Sequence, residues 1–368
     1  MENTVHPPIS AIIHRTLKTA GLFDGFWERW LAHVIDEKDM DEARLKFNSL
    51  TEWIEGWEEL GQSKAEEANK LVMEKCYLEA EGALRQAGLY YYLNYWIHPA
   101  LSEQKINWYQ KCLSAMYSAD SLSGVQTNYE HISLKDKSIC SGRVRVPENP
   151  KGCIIIVSPI DSSKEELYLY ESEFIKKGFI TLSFDGPGQG ETFLLNDVIG
   201  TKTRWKWFID EVIHYASETY GKRLPVHLFG TGIGASWVLY GCGNEKVESA
   251  AAVSPAVEME RMNIPAYYME RMKCSCLYDE KVEKETEVML PSFKEIKYIT
   301  PVLLFHGKKD LMVPVKEVQR LYKGISSEKC LIEYDDEGHL CNNKLDEIQQ
   351  SALKWFLEDK KVEKRHEG

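Results

Sequence analysis

The apolar positions of the chain follow a helical period in its first third and a strand-like pattern afterwards. In the first third, aromatic and apolar residues recur three or four positions apart, as on one face of a helix. Two such faces consist of Leu22, Phe26, Trp30 and His33, and of Phe47, Leu50, Trp53, Ile54 and Trp57. No strand pattern occurs there, so residues 1–122 are predicted to form an all-helical N-terminal domain.

A further helix is predicted over residues 65–89, where Ser63 followed by Glu66 resembles a capping box. It leads into residues 89–96, which are aromatic on almost every side, and a helix of that kind must be buried on more than one side. Two interpretations stay open. The segment is a core helix of the N-terminal domain, or some of its aromatic residues line a substrate cavity between domains. The candidates for that cavity are Tyr91, Tyr92, Tyr95 and Trp96.

From residue 123 onward, short apolar runs rich in β-branched residues alternate with helical stretches. Two antiparallel strands are predicted at residues 127–132 and 142–146. Further strands are predicted at residues 153–158, 179–184, 226–229, 250–253, 302–306 and 331–334. Unbroken apolar strands separated by helices are typical of a parallel sheet that is covered on both faces. The predicted fold class is therefore α/β, with a doubly wound, mostly parallel sheet over residues 123–368.

Composition and charge narrow the expected partners. A chain of 368 residues exceeds the size of one hydrophobic core, which favours two unequal domains. The formal net charge of -12 argues against a nucleic-acid surface, so a small-molecule partner is expected. The nine cysteines form no CxxC pair and are expected to be reduced thiols in the cytoplasm. No leader pattern, membrane-spanning stretch, metal motif or cofactor motif is visible, so neither a membrane nor a cofactor is expected.

Candidate catalytic positions follow three of the predicted strands. Residues 230–235 connect one strand to an apolar helix through small residues, as in the sharp turn of a nucleophile elbow, and Gly232 stands at the nucleophile's place. Asp310 follows the strand that ends near residue 306, and His339 follows the strand that ends near residue 334. Ligands of doubly wound sheets bind at these strand ends, and the chain order of elbow, acid and histidine is that of the α/β-hydrolase fold.

Several segments also resemble one group of hydrolases. They are Ser162-Ser163-Lys164-Glu165-Glu166, the run FDGPGQGE at residues 184–191, His306-Gly307 with Asp310, and Gly338-His339. On these segments the chain resembles the α/β-hydrolases with a helical N-terminal domain, which include 2,6-dihydroxypseudooxynicotine hydrolase, Ayg1-type polyketide-shortening hydrolases and FrsA-like proteins. The run FDGPGQGE is the most specific of them, and its plainest role is a turn that caps a strand.

The resemblance implies hydrolysis of a C-C bond or an ester by a Ser/His/Asp triad. It also implies an oxyanion hole from the amide after the nucleophile and an amide after the first core strand. Here these positions are Ile233 and the Ile160-Asp161 region. The group's helical domains often mediate dimers, so a homodimer is expected by analogy.

The chain departs from this group at the nucleophile, because Gly232 has no hydroxyl and neither Thr231 nor Ser236 stands at the elbow position. Without a nucleophile no acyl-enzyme forms, whereas His339 oriented by Asp310 is still a competent general base. The leading hypothesis is non-covalent C-C or ester cleavage, or related lyase, condensation or cyclisation chemistry, on a small ketone or ester of secondary metabolism.

Two alternatives remain. One is an ordinary serine hydrolase with an engineered Ser-to-Gly change at position 232, and the other is an inactive binding or scaffold protein. Glu258 follows the strand that ends at Val253 and is a candidate for substrate contact, although a solvated helix residue is the simpler interpretation.

Overall fold

The computed structural model describes residues 8–33, 35–258, 261–276 and 290–358. In this part of the chain, every element before the first strand is a helix. They are α1 (Ile9–Leu22), α2 (Gly25–Ala32), α3 (Glu37–Lys46), α4 (Leu50–Met73), α5 (Tyr77–Ile97) and α6 (Glu103–Leu122). The prediction of a helical N-terminal domain is confirmed.

Three local predictions in this domain are wrong. The helix predicted over residues 65–89 is interrupted, because α4 ends at Met73 and α5 begins at Tyr77. The capping box lies at Ser49 and Glu52, where Ser49 Oγ accepts from the Glu52 amide at 3.2 Å and Glu52 Oε2 accepts from the Ser49 amide at 3.0 Å. Ser63 and Glu66 lie inside α4, so their amides are already used by the helix. Leu22 is 85% exposed and shares no buried face with Trp30, because α1 ends at Leu22 and the chain turns before α2.

The core of the N-terminal domain is built largely from aromatic rings. Trp27, Trp53 and Trp57 are buried, with ring centroids 5.8 Å apart for Trp27 and Trp53 and 5.9 Å apart for Trp53 and Trp57. The second half of α5 is buried on all sides between α4 and α6, which agrees with its interpretation as a core helix. Phe193 and Leu194 from the sheet domain pack into the same core, so the two domains share apolar contacts.

The second domain contains an eight-stranded sheet in the order β1-β2-β4-β3-β5-β6-β7-β8 among the described residues. The strands are β1 (Gln126–Ser133), β2 (Ile139–Val146), β3 (Gly152–Val157), β4 (Phe179–Phe184), β5 (Val226–Thr231), β6 (Ser249–Val253), β7 (Val302–Gly307) and β8 (Lys329–Tyr334). β1 pairs with β2 and β2 with β4 in antiparallel fashion, and all other pairs are parallel. Each strand predicted from the sequence is present, so the predicted sheet is confirmed.

Helices cover both faces of this sheet. They are α7 (Tyr168–Lys176), α8 (Gly190–Leu194), α9 (Lys202–Ala216), α10 (Ile233–Gly241), α11 (Ala266–Met272), α12 (Val315–Gly324) and α13 (Leu345–Leu357). Alternate residues of β3 face different cores: Ile155 packs in the core that includes α9 and α10, and Ile154 packs in the core that includes α7 and α13. This double burial explains why inner strands such as β3 and β7 are apolar over most of their length.

Buried ion pairs join the two domains away from the strand ends. Arg85 of α5 pairs with Asp120 of α6 at 2.6 Å, and the same carboxylate lies 3.4 Å from Arg143 of β2. Arg143 in turn pairs with Glu171 of α7 at 2.5 Å. Removing one member of such a buried chain leaves an uncompensated charge, so the charged residues of each domain depend on partners in the other. No helix in the described residues is both long enough and apolar enough to cross a membrane.

Candidate active site

The elbow between β5 and α10 is a sharp turn at Gly232. Its backbone has φ 57° and ψ -126°, a conformation that glycine adopts readily and other residues adopt only with strain. The Gly232 amide donates to the Val253 carbonyl at 2.9 Å, which ties the turn to β6. A side chain at Gly234 would lie 2.3 Å from the Val157 carbonyl oxygen, so only glycine lets α10 approach β3 this closely.

His339 and Asp310 form a hydrogen-bonded pair beside this elbow. His339 Nδ1 lies 2.7 Å from Asp310 Oδ2, and Asp310 Oδ1 accepts from the amides of Met312 and Val313 at 2.8 and 2.9 Å. The Asp310 side chain is fully buried, whereas that of His339 is 23% exposed. A carboxylate held at Nδ1 directs Nε2 outward, as a general base requires.

Gly232 leaves room for a side chain in front of this histidine. A Cβ added at Gly232 would lie 3.9 Å from His339 Nε2, 3.7 Å from Pro159 Cβ and 3.4 Å from Leu340 Cδ2. A serine hydroxyl, one bond further out, would therefore come within hydrogen-bond reach of Nε2. All three distances are ordinary van der Waals contacts, so one additional atom at this position meets no clash.

The charge state of the acid fits this geometry. Burial by itself raises the pKa of Asp310, but His339 and the two backbone amides outweigh it, and the pKa lies below its ordinary value. Asp310 is therefore ionised at neutral pH. His306 is fully buried 4.0 Å from the same carboxylate, and burial lowers its pKa, so it is neutral and adds no charge.

The predicted oxyanion positions lie on both sides of the elbow. Ile233 is the first residue of α10, where amides point away from the helix end. Ile160 and Asp161 follow β3, directly after Pro159. The Asp161 side chain is tied down by Arg29 at 2.8 Å, Tyr268 at 2.9 Å and Trp96 at 3.3 Å. This loop is thus held rigidly against the N-terminal domain.

Arg29 of α2 extends that anchoring and was not singled out from the sequence. Its guanidinium bonds Glu166 through two nitrogens at 2.5 and 2.7 Å while it also reaches Asp161. Helix α2 contacts the turn at residues 339–344 as well, so the N-terminal domain lies over the histidine. In the sequence, Arg29 follows Glu28 within a mostly aromatic and apolar stretch, and nothing there distinguishes it from a solvated arginine.

The four aromatic candidates on α5 point to different places. Tyr95 and Trp96 line a cavity of about 30 Å³ together with Ile160 and Asp161. Tyr92 packs between Trp30 and Tyr95, with centroid distances of 6.0 and 5.0 Å. Tyr91 lies on the opposite side, where its ring covers Gly61 of α4 and stacks on Trp108 at 6.4 Å. The structure brings Tyr95 and Trp96, but not Tyr91, to the cavity beside the oxyanion loop.

Glu258 stands apart from these residues. Its carboxylate pairs with Arg261 at 3.1 Å and lines a separate groove with Phe293 and Arg320. That groove is bordered by α12 and not by the aromatic residues of α5.

The run FDGPGQGE is held by a buried charge cluster. Lys164 Nζ lies 2.9 Å from Glu165, Asp185 and Glu191, and the hydroxyl of Tyr109 from α6 donates to Glu165 at 2.8 Å. Burial, opposed by Lys164 and reinforced by Glu165, raises the pKa of Asp185. Lys164 and the three carboxylates belong to segments 162–166 and 184–191, so the sequence indicated the segments but neither their mutual contact nor the part of Tyr109.

The described residues contain no group of three or more His, Cys, Asp or Glu side chains arranged to hold a metal ion. All nine cysteines are free thiols.

Comparison with known proteins supplies hydrolase relatives. No protein-family model matches the sequence. The 2,6-dihydropseudooxynicotine hydrolase of Paenarthrobacter nicotinovorans is 29% identical over 181 residues, 47% of either chain. Hydrolase LUC6 of a Fusarium species is 24% identical over 243 residues, which cover 59% of this chain and 55% of the relative. The chain thus matches about half the length of these curated relatives.

Solved structures extend the likeness to the whole fold. The crystal structure of 2,6-dihydroxy-pseudo-oxynicotine hydrolase has a TM-score of 0.73 at 19% identity, covering 90% of this chain and 94% of that one. AbyA5 has a TM-score of 0.63 at 12% identity, with coverage of 88% and 93%. The Pyrococcus furiosus esterase Pf2001 has a TM-score of 0.52 at 16% identity and covers 64% of this chain and 90% of its own.

At these identities the structural likeness demonstrates the fold and not a shared reaction. The sheet order, the elbow, the strand-end positions and the helical first domain agree with it. The protein therefore has the α/β-hydrolase fold with a helical N-terminal domain, and it resembles 2,6-dihydropseudooxynicotine hydrolase and hydrolase LUC6.

Proposed function

We propose that the protein is an enzyme that cleaves its substrate without a covalent intermediate, with His339 as general base and Asp310 as the residue that orients it. The observation that carries the proposal is the space between Gly232 and His339. A Cβ at Gly232 would lie 3.9 Å from His339 Nε2, so no side chain of the elbow separates the base from a bound reactant.

In the hydrolytic form of the reaction, His339 Nε2 takes a proton from a water molecule as its oxygen attacks the substrate carbonyl. The negative charge that develops on the carbonyl oxygen is held by the Ile233 amide and an amide of the Ile160-Asp161 loop. Collapse of this intermediate breaks the C-O or C-C bond, and the leaving alkoxide or carbanion takes the proton from His339. The histidine thus ends the cycle in its starting form.

The same arrangement serves reactions that begin with proton abstraction from carbon. His339 then removes a proton next to a ketone, and the amides hold the enolate oxygen. Elimination, condensation or cyclisation follows from such an enolate. The substrate class we propose is a small ketone or ester of secondary metabolism, in keeping with the hydrolase names of the relatives.

Two probe reactions test the base without knowledge of the natural substrate. Hydrolysis of p-nitrophenyl acetate tests water activation, and exchange of the α-protons of cyclohexanone in D₂O, followed by NMR, tests abstraction from carbon. His339→Ala is expected to slow at least one of them by about 10²-fold or more. His14→Ala, on the exposed side of α1, is the matched control and should leave both rates unchanged.

The alternative is a binding protein that retains the fold. It predicts that neither probe reaction runs faster in the wild type than in His339→Ala, and that outcome would overturn the proposal. In a wild type with base activity, mass spectrometry of the intact protein during ester hydrolysis should reveal no acyl adduct, because position 232 has no hydroxyl.

We also propose how the domains are arranged, which oligomer the protein forms and where it is located. Residues 1–122 act as a cap domain on the hydrolase domain at residues 123–368, and the protein forms a homodimer in the cytoplasm. Sedimentation of the purified protein tests the dimer directly.

A further inference from the structure

One residue of the run FDGPGQGE reaches the loop after β3 that holds the predicted oxyanion positions. Gln189 is 1% exposed, and its Nε2 donates to the Pro159 carbonyl at 2.5 Å and to Ser158 Oγ at 3.1 Å. Its Oε1 accepts from the Gly186 amide at 2.8 Å. Exchanging the oxygen and nitrogen of this side chain would break all three bonds, so its orientation is fixed by its partners.

The backbone that carries Gln189 is held as firmly as its side chain. The Gln189 amide donates to the Gly186 carbonyl at 3.0 Å, and the Gln189 carbonyl accepts from the Phe193 amide at 2.8 Å. The Thr192 hydroxyl donates to the Asp185 carbonyl at 2.7 Å, which closes the same turn from the other side. Gln189 is therefore a rigid support for the loop that it contacts.

The carbonyl that Gln189 binds belongs to the same peptide unit as the Ile160 amide. This peptide is trans, and in a trans peptide the C=O and the N-H point in opposite directions. The Pro159 carbonyl also accepts from the Ser162 amide at 3.0 Å. Because two donors hold the carbonyl on one side, the Ile160 N-H is turned to the other side.

The Ile160 amide is left available by these contacts. Within the described part of the chain it has no hydrogen-bond acceptor, although Ile160 is only 1% exposed. Buried amides rarely lack a partner, so this one is suited to an oxygen of a ligand. The Pro159 Cβ lies 3.7 Å from a Cβ added at Gly232, so the peptide unit borders the elbow.

We propose that Gln189 is a positioning residue, which holds the Pro159-Ile160 peptide so that the Ile160 amide faces the ligand oxygen that becomes negative. This inference rests on the proposed function, because it names one amide of the oxyanion site and the side chain that aims it. It gives the run FDGPGQGE a role beyond capping a strand.

Two stable analogues of p-nitrophenyl acetate separate this role from a purely structural one. p-Nitrophenyl methylphosphonate carries a tetrahedral, negatively charged centre like that of the hydrolysis intermediate, whereas 4-nitroacetanilide carries a planar, neutral carbonyl. NMR titration of the full chain measures the dissociation constant of each. The wild type is expected to bind the phosphonate at least about tenfold more tightly, because preorganised amides favour the oxygen that bears charge.

Gln189→Met keeps the approximate length of the side chain and removes both donors. It should weaken phosphonate binding by about tenfold or more and change binding of the planar amide by less than about twofold, because the charged oxygen depends most on the aim of the Ile160 amide. The matched control is Gln349→Met in α13. Gln349 is 2% exposed and donates to the Leu169 carbonyl at 3.2 Å, so this variant should retain both affinities.

Three results would contradict the proposal. They are a wild type that does not prefer the phosphonate, a folded Gln189→Met that retains the preference, and an equal loss of both affinities in that variant. If Gln189→Met does not fold, labelling of the wild type with [¹⁵N]isoleucine decides. The Ile160 amide resonance, assigned through Ile160→Val, should shift when the phosphonate binds, and an unshifted resonance would refute the role of this amide.

None of these measurements requires turnover. If His339→Ala leaves both probe reactions unchanged, the role of Gln189 in binding a negative oxygen still stands. If Gln189→Met leaves the phosphonate preference unchanged, the assignment of His339 as base still stands.

Discussion

Two turns border the candidate active site, and they differ in how they carry backbone strain. The elbow holds Gly232 at φ 57° and ψ -126°, which glycine adopts at little cost. The turn after β8 holds Leu340 at φ 70° and Cys341 at φ 53°, both in the left-handed region that side chains disfavour. Such residues cost on the order of 1–3 kcal/mol each and persist where surrounding contacts hold them.

The strained turn is the one that carries the histidine. It is held by the Leu340 amide, which donates to Ser254 Oγ at 3.1 Å, and by the bond from His339 to Asp310. In a serine hydrolase, the serine at the elbow has a strained backbone that exposes its hydroxyl. In this protein the elbow residue is Gly232, which has neither the strain nor a hydroxyl. The protein therefore has the strained turn that positions the histidine but not a strained elbow that positions a nucleophile. This difference favours base catalysis over a protein that only binds.

Gly232→Ser tests this comparison with the largest expected effect. The new hydroxyl would lie within reach of His339 Nε2, so the variant should react with a fluorophosphonate and hydrolyse p-nitrophenyl acetate about 10³-fold faster than the wild type. Gly232→Ala introduces the same Cβ without the oxygen and should stay unlabelled. A folded serine variant that is not labelled would contradict the assignment of this turn as an elbow facing the base.

Asp310→Asn tests the histidine turn. The amide would stabilise the wrong tautomer of His339, so the probe reaction that depends on the base should slow by about 10²-fold or more. Asp335→Asn changes an exposed carboxylate on the adjacent loop, 2.6 Å from Lys308, and serves as control. Equal rates for the two variants would mean that orientation by Asp310 is not needed.

Gly232→Ala also measures the strain that the elbow avoids. Alanine at φ 57° should lower the free energy of unfolding by about 1–3 kcal/mol, determined from urea titrations. Gly82→Ala is the opposite control, because it lies in helix α5 with open space around its Cβ position and should raise stability by about 0.5–1 kcal/mol. If Gly232→Ala leaves the free energy of unfolding unchanged, the contrast between the two turns disappears.

The smallest effect concerns Leu340. Leu340→Ala and Leu340→Gly both remove the leucine side chain beyond Cβ, but only glycine relieves the left-handed backbone at this residue. The glycine variant should be more stable than the alanine variant by about 1 kcal/mol in the same titration. If alanine is the more stable of the two, strain at this turn is not a significant cost.

Local sequence patterns were sufficient to predict the strands. They failed where residues outside the pattern decided whether the chain enters or continues a helix. The inner strands follow from apolar runs, because burial on both faces leaves few polar positions. A capping box, by contrast, requires that the preceding residues leave the helix. The pattern at Ser63 and Glu66 matches the motif, yet α4 continues through it from its start at Ser49.

The sequence by itself determined the α/β-hydrolase fold and the order of Gly232, Asp310 and His339, since each follows a strand and strand ends meet at one edge of the sheet. Only the tertiary structure decided which side chains surround them. Arg29 of α2 reaches Asp161 and Glu166 only when the N-terminal domain packs on the sheet domain. Likewise, Tyr95 reaches the cavity and Tyr91 covers Gly61, because rotation of a helix that is apolar all round is set by its neighbours.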